Sequence, residues 1–278
     1  MTTMVFDRVL VMVRGGGDLA SGVVYRLHRA GFPVVIAELA VPLLVRRAVS
    51  FGEAMMAGTV TVEDITARRI ASATDVRSTI ERGEIPVLCD PDGSSIADLQ
   101  PVVIVDARME KRSLDTRIDD APLVIALGPG YSAGENCHAV IETNRGHWLG
   151  RVIWNGSAEP DTGVPGRVDG KTKHDRVLRA PVDGYVEALI DIGGIVEAGQ
   201  VIARVDGQPV IAPFAGVLRG LVNSHLPVRA GMKIGDLDPR SRPEHCFTIS
   251  DKSLAIGGGV LEAILSAPQV RGVLQATL

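Results

Sequence analysis

Apolar positions along this chain follow two rhythms. Runs of about five residues, apolar almost throughout, stand at 9–13, 34–38, 86–90, 102–106 and 123–127. Runs of that kind predict strands buried on both faces, as in a parallel sheet covered by helices. Between them, 19–30 and 41–57 carry helical spacing, and 74–82 opens on an N-cap at Thr74 and stops at Gly83. The alternation predicts an α/β fold, a Rossmann-like doubly wound parallel sheet.

The residues that end these runs carry the candidate chemistry. Arg14-Gly15 follows the first, Glu38 closes the second, Asp90 the third, Asp106-Ala107-Arg108 the fourth, and Gly128-Pro129-Gly130 the fifth. In a parallel sheet all of these lie at the carboxyl ends of strands, where such folds bind ligands. Gly15-x-Gly17-x-x-Ala20 fits a dinucleotide fingerprint, and Glu38, 21 residues past Gly17, stands where an acid would hold a ribose hydroxyl. Asp18 cuts the other way, because it caps a helix start but repels an incoming phosphate. Two readings stay open, a nucleotide cradle and a purely structural turn. No Lys-Ser or Lys-Thr follows the glycines, which excludes a Walker-type loop.

A second glycine-rich stretch, 126–147, holds Gly128, Gly130 and Gly134, followed by Cys137, His138, Glu142, Arg145 and His147. Its glycines suit an anion nest with Arg145 as charge partner. The spacing of its Cys, His and Glu residues matches no usual zinc pattern, so no metal is expected. Burial as small apolar groups is the better expectation for Cys89 and Cys137.

From 155 to 176 the chain is rich in Gly, Pro and polar residues, the composition of a linker. Beyond it, 180–205 aligns without gaps on 212–237, an offset of 32, with eight of 26 positions identical. Two copies that short cannot each bury a core, so they are expected to interlock. The pattern "APVDGYV…GGIVEAGQVIARV…VIAPFAGVL…VRAGMKIGDL" resembles the biotinyl/lipoyl carrier domains, which implies a small all-β barrel-sandwich hybrid. Carriers attach their cofactor to a lysine at the tip between the halves. Here the tip reads Val205-Asp206-Gly207-Gln208-Pro209-Val210, with no lysine between Lys173 and Lys233, so neither biotin nor lipoate is expected. The expected organisation is a nucleotide- or cofactor-binding domain at 1–155, a linker at 156–178, the carrier-like module at 179–240, and a C-terminal segment at 241–278 whose helix packs back on the core.

Composition narrows the partners. The net charge is −4 with no cluster of Lys and Arg, so no nucleic-acid or membrane footprint is present. No apolar run approaches the ~18 residues of a membrane span, and the first residues lack the basic start and apolar stretch of a secretion signal. Three cysteines without close spacing argue against a disulfide framework. A cytoplasmic chain is expected.

Taken together, "VRGGGDLASGVVYRLHRAGF", "VRRAVSFGEAMMAG", "DARMEKR", "ALGPGYSAGENCHAVIETNRGHWLGRVIWNG", the carrier-like module and "CFTISDKSLAIGGGVLEAIL" resemble the YqeB family of accessory proteins. That family is associated with selenium-dependent molybdenum hydroxylase systems. The resemblance implies an accessory or maturation role, with a molybdenum hydroxylase or its cofactor-maturation proteins as partners and a homodimer left open. It supplies a pathway and no reaction. It carries forward Gly15, Gly17, Asp18, Arg46, Arg47 and the Gly128 loop. The expected ligand is a dinucleotide, NAD(P) or molybdopterin dinucleotide: pyrophosphate on Gly15 to Gly17, ribose on Glu38, and anionic substituents near Arg46, Arg108 and the Gly128 loop, with Arg14 and Asp106 at the same edge. Two alternatives stand beside this reading, an NAD(P)-dependent oxidoreductase and a non-catalytic scaffold. The first lacks a Tyr-x-x-x-Lys pair, since none of Tyr25, Tyr131 and Tyr185 has a lysine four residues on.

Overall fold

The computed structural model describes residues 4–109, 115–160 and 176–276. These form two compact units. The first holds the described residues of 4–42, 51–160 and 249–276, and the second holds 43–50 and 176–248. Most of the expected linker, 161–175, lies outside the described residues.

The first unit is built on nine strands: β1 (Val11–Arg14), β2 (Val34–Glu38), β3 (Thr59–Val62), β4 (Ile65–Ile70), β5 (Ile85–Cys89), β6 (Val103–Asp106), β7 (Leu123–Leu127), β8 (Ala139–Ile141) and β9 (Val152–Ile153). Their order in the sheet is β3-β4-β5-β2-β1-β6-β7-β8-β9. The pairs from β4 to β8 run parallel, while β3 pairs antiparallel with β4 and β9 antiparallel with β8. The strands β1, β2, β6, β7 and β8 are buried at every position, which is why the first four read as runs apolar almost throughout. Met12, Val35, Ile104, Val124 and Val140 belong to one core cluster, with Ile80 and Ile96 packed against it.

Six helices are described: α1 (Asp18–Arg29), α2 (Ala54–Ala57), α3 (Val76–Glu81), α4 (Ile96–Leu99), α5 (Asp251–Ser266) and α6 (Pro268–Gln275). Helix α1 is amphipathic, with Ala20, Val23, Val24 and Leu27 buried. It crosses α5 at very short range through glycine. A Cβ on Gly22 would stand 2.7 Å from the Ser253 Cβ, and one on Gly257 would stand 2.8 Å from the Gly22 carbonyl carbon. Helix α5 starts at an N-cap, Ser250, whose side chain accepts from the Ser253 backbone N–H.

The second unit consists of β10 (Val177–Arg179), β11 (Gly184–Ala188), β12 (Ile195–Val196), β13 (Val201–Val205), β14 (Gln208–Ile211), β15 (Gly216–Leu221), β16 (Pro227–Val228) and β17 (Lys233–Asp238). They make two four-stranded antiparallel sheets, β10-β17-β15-β12 and β14-β13-β11-β16. The repeat is visible in the register. Gly184 faces Val228 and Gly216 faces Val196, the same pairing with each partner moved by the repeat offset. Each copy therefore lends its short second strand to the other copy's sheet, and neither closes a core alone. One cluster spans both, including Val186, Ile202, Val205, Leu218, Ile234 and Leu237.

The expected fold class is corrected on both counts. The first unit is a large mixed sheet with an antiparallel strand at each edge, not a doubly wound Rossmann-like parallel sheet. The second is a pair of open four-stranded antiparallel sheets, not a barrel-sandwich hybrid. Two local departures from the expected pattern stand out. The stretch 41–57, read as one helix, breaks into two single 3-10 turns at Arg47–Val49 and Phe51–Glu53 followed by the short α2. It contains Pro42 and Gly52, which disfavour a continuous helix. The following stretch forms the β3–β4 hairpin, turning at Glu63 with φ +55°. Helix α3 begins after a capping box at Ser72 and Asp75, not at Thr74. No single helix among the described residues is long and apolar enough to cross a membrane.

Candidate functional site

The register of the parallel strands brings the predicted strand-end residues to one edge. Arg14 stands opposite Ala37 of β2 on one side and Asp106 of β6 on the other. Glu38 faces Cys89, and Asp106 faces Ala126. Asp90 is buried just past β5, where its carboxylate accepts from the Ser94 hydroxyl at 3.0 Å and from the Ser95 backbone N–H at 3.2 Å.

The three glycines are used in three different ways. Gly15 has φ +92°, and a Cβ there would meet Arg108 at 3.2 Å. Gly16 touches the backbone of Gly52, where a Cβ would stand 2.7 Å away, and its carbonyl accepts from the Gly52 N–H at 2.8 Å. Gly17 is the N-cap of α1, extended at φ −73° and half-buried, with no side-chain cap. Gly15 and Gly16 are buried, so the accessible part of the motif begins at Gly17.

Glu38 serves this turn directly. One carboxylate oxygen accepts from the Gly16 N–H at 2.6 Å and the other from the Leu39 N–H at 2.7 Å. Burial pushes the carboxyl above its ordinary range, and the two backbone donors offset part of that rise. The acid at the fingerprint spacing thus closes the glycine turn. Asp18, the residue expected to repel phosphate, accepts at 3.0 Å from the Ser253 hydroxyl of α5. Ala20 is buried, as close packing of α1 requires.

The densest chemistry lies at the ends of β1 and β6. Asp106 is 1% exposed, and its Oδ2 accepts from Arg108 Nη2 at 2.5 Å, the Thr116 hydroxyl at 2.6 Å and the Tyr131 hydroxyl at 2.6 Å. Burial alone would raise its carboxyl, but the Arg108 guanidinium and the two hydroxyls outweigh it and hold the group below the usual range. Tyr131 is pushed up by burial and by the Asp106 charge. Arg14, with its side chain 2% exposed, forks onto Asp115 at 3.1 and 3.0 Å and reaches the Thr116 hydroxyl at 2.7 Å. Arg108 adds a third contact to Asp115 at 2.8 Å. Two guanidiniums, two carboxylates and two hydroxyls form one connected network.

The second glycine loop is a packed turn. Gly128, Gly130 and Gly134 all have positive φ, and a Cβ on Gly128 would collide with the Thr143 hydroxyl at 2.6 Å. Gly134 donates to the Cys137 carbonyl at 2.8 Å. Nearby, His138 Nδ1 accepts from the Val124 N–H at 3.0 Å, and Glu142 accepts from the Asn144 and Glu159 N–H groups, each at 2.7 Å. Arg145 pairs with Asp251 at the start of α5. Among the described residues, no group of three or more His, Cys, Asp or Glu is arranged to hold a metal ion.

Arg46 and Arg47 belong to the second unit. Arg46 pairs with the buried Asp236 at 2.6 Å, and Arg47 donates to the Leu221 carbonyl at 3.1 Å. Asp115, Thr116 and Tyr131 were missed from sequence, because no motif spacing links them to Asp106. The one available signal was Arg14 itself: a guanidinium at the end of a buried strand requires a carboxylate from elsewhere.

Comparison with known proteins gives a strong likeness in sequence and weak ones in structure. No family model matches the chain. An uncharacterized Escherichia coli protein named YqeB is 49% identical over 256 residues, which cover 92% of this chain and 47% of that protein. Solved structures overlap poorly. An aspartoacylase family protein from Mesorhizobium loti gives a TM-score of 0.27 at 13% identity, covering 82% of this chain and 84% of its own. A succinylglutamate desuccinylase from Silicibacter gives 0.24 at 15%, with 82% and 84% covered. Overlaps this low say nothing about fold or chemistry. The sequence match supports kinship with YqeB, and the chain spans about half the length of that relative.

Proposed function

We propose that this chain is an accessory protein of a selenium-dependent molybdenum hydroxylase system that binds an anionic, nucleotide-bearing cofactor, such as a molybdopterin dinucleotide, at the carboxyl edge of its nine-stranded sheet. The observation that carries the binding half of this reading is the convergence of Arg14 and Arg108 at the ends of adjacent strands, where both donate to Asp115 and Arg108 packs against Gly15. One buried and one half-buried guanidinium at a strand-end edge are suited to phosphate, which each can grip through two N–H donors. The amino end of α1, uncapped by any side chain, adds a favourable dipole beside them. The pathway half rests on the motif resemblance and on the 49% identity with YqeB.

The ligand would lie over Gly17 and the first turn of α1, since Gly15 and Gly16 are closed off. Glu38 has both oxygens engaged by backbone N–H groups, so ribose recognition falls to other residues. This weakens the NAD(P) alternative, whose fingerprint needs that acid on the ribose. Thermal-shift titration against molybdopterin dinucleotide, CTP, NADH, NADPH and FAD tests the reading. A ligand at 100 times its dissociation constant stabilises by about 2.7 kcal/mol, an easily read shift. No shift with any of the five refutes it.

A further inference from the structure

The cations at this edge are held by the sheet, while one of their counterions, Asp115, is nearly half exposed. Arg14 sits on β1 with its side chain 2% exposed, and Arg108 follows β6 with its side chain 18% exposed. Asp106, the carboxylate between them, is saturated by Arg108, Thr116 and Tyr131. The remaining carboxylate, Asp115, is 46% exposed. A guanidinium as buried as Arg14 needs an anionic partner, and Asp115 is the carboxylate that supplies it.

We propose that the Arg14–Arg108 pair is an oxyanion subsite, made for a phosphate group of the ligand, and that the Asp115 carboxylate occupies it as an internal competitor. This rests on the reading of the strand edge as a ligand site and names the part that takes the phosphate. Arg14 presents Nη1 and Nη2 to the two Asp115 oxygens at 3.1 and 3.0 Å, and Arg108 Nη1 reaches the first of them at 2.8 Å. Three donors from two guanidiniums on one pair of oxygens match the edge of a tetrahedral oxyanion as well as they match a carboxylate.

The surroundings hold the two cations in place when the anion changes. The Thr116 hydroxyl accepts from Arg14 at 2.7 Å and from Arg108 at 2.8 Å while donating to Asp106. Gly93, at φ +78°, leaves room beside Arg14, since a Cβ there would come within 3.2 Å of the guanidinium carbon. Protonation does not relieve the competition at neutral pH. Burial alone would raise the Asp115 carboxyl, but Arg14 and Arg108 hold it down at about 2.

The test titrates inorganic pyrophosphate against wild type and Asp115→Asn, read by thermal shift. Asp115→Asn should melt lower without pyrophosphate, because Arg14 loses its charge partner, and should respond at a concentration at least about tenfold lower than wild type. An equal or weaker response in Asp115→Asn would make Asp115 a permanent structural counterion and overturn the proposal. Should that variant not fold, wild type is compared with Arg108→Gln: loss of the pyrophosphate response supports the subsite, and an equal response or none in wild type overturns it. A pyrophosphate response without any nucleotide response keeps the subsite and refutes the dinucleotide reading. Nucleotide binding indifferent to Asp115→Asn does the reverse.

Discussion

Helix α5 carries three consecutive glycines, Gly257, Gly258 and Gly259, and replacing them with alanine should raise stability at Gly258 and lower it, by different amounts, at Gly257 and Gly259. Alanine in a helix interior normally gains about 1 kcal/mol over glycine. At Gly258 nothing lies within 4 Å of the new Cβ, so Gly258→Ala should stabilise by roughly 0.5–1 kcal/mol. At Gly257 the Cβ would stand 2.8 Å from the Gly22 carbonyl carbon, where carbon atoms ordinarily pack at about 3.5–4.0 Å. The obstacle is helix backbone, which cannot rotate aside, so α1 and α5 must separate by roughly 1 Å. Overpacking of this kind costs about 1–3 kcal/mol, and a rigid obstacle argues for the upper end. After the propensity gain, Gly257→Ala should lose about 2 kcal/mol. At Gly259 the Cβ would collide with the Gly150 carbonyl oxygen and stand 3.0 Å from Ile141. That loop yields more readily, so the loss should be about 1 kcal/mol. Urea unfolding followed by tryptophan fluorescence reads this directly, because Trp148 and Trp154 are the only tryptophans and both lie in the first unit. Gly257→Ala at or above wild-type stability would refute the glycine-mediated crossing of α1 and α5.

Other consequences can be checked as simply. Gly17→Val suits the extended backbone at that position, so it should leave the melting temperature within a few degrees while blocking ligand approach; unchanged affinity in calorimetry would move the site off this turn. Iodoacetamide at pH 8 should alkylate Cys89 alone in the native protein, since it is exposed and not buried as its sequence context suggested, and all three cysteines after denaturation, since Cys137 and Cys246 are buried and burial pushes the Cys137 thiol up to about 12. Two rapid modifications in the native state, counted by mass spectrometry, would contradict this. Arg46→Ala should destabilise the second unit by roughly 2 kcal/mol, below the ~3–5 of a fully buried pair, because Arg46 is partly exposed. Burial would raise the Asp236 carboxyl, but Arg46, Lys233 and Arg176 hold it below the usual range. Its pairing therefore contributes above the ordinary value near 3.9 and fades as pH falls, so the Arg46→Ala deficit should shrink in acid. Hydrogen exchange of β15 and β17 amides would show this, and a deficit that grows as pH falls would contradict it.

The strands most legible in the sequence were those whose surroundings leave one kind of residue possible. Val34–Glu38 and Leu123–Leu127 match their predicted bounds because every position is buried. The repeat was equally legible: β11, β12 and β13 recur as β15, β16 and β17 at the predicted offset. What the repeat could not reveal was the exchange of short strands between copies, which depends on contacts between residues far apart in the chain. The β3–β4 hairpin was illegible because its strands lie at and next to the sheet edge and mix exposed, half-buried and buried positions, so neither reads as an apolar run. At the candidate site, the spacing that singled out Glu38 was real, but its carboxylate could serve a ribose or the turn's own N–H groups equally well. Geometry chose the turn. Asp115 left no pattern, since a counterion needs only to arrive in space, not at a fixed interval.

The most direct measurement is isothermal titration calorimetry of molybdopterin dinucleotide into wild type and Arg108→Gln. The account predicts saturable binding to wild type, weakened at least about tenfold, or roughly 1.4 kcal/mol, when the guanidinium is removed. Binding of equal strength to both proteins, or no binding to wild type, would contradict it.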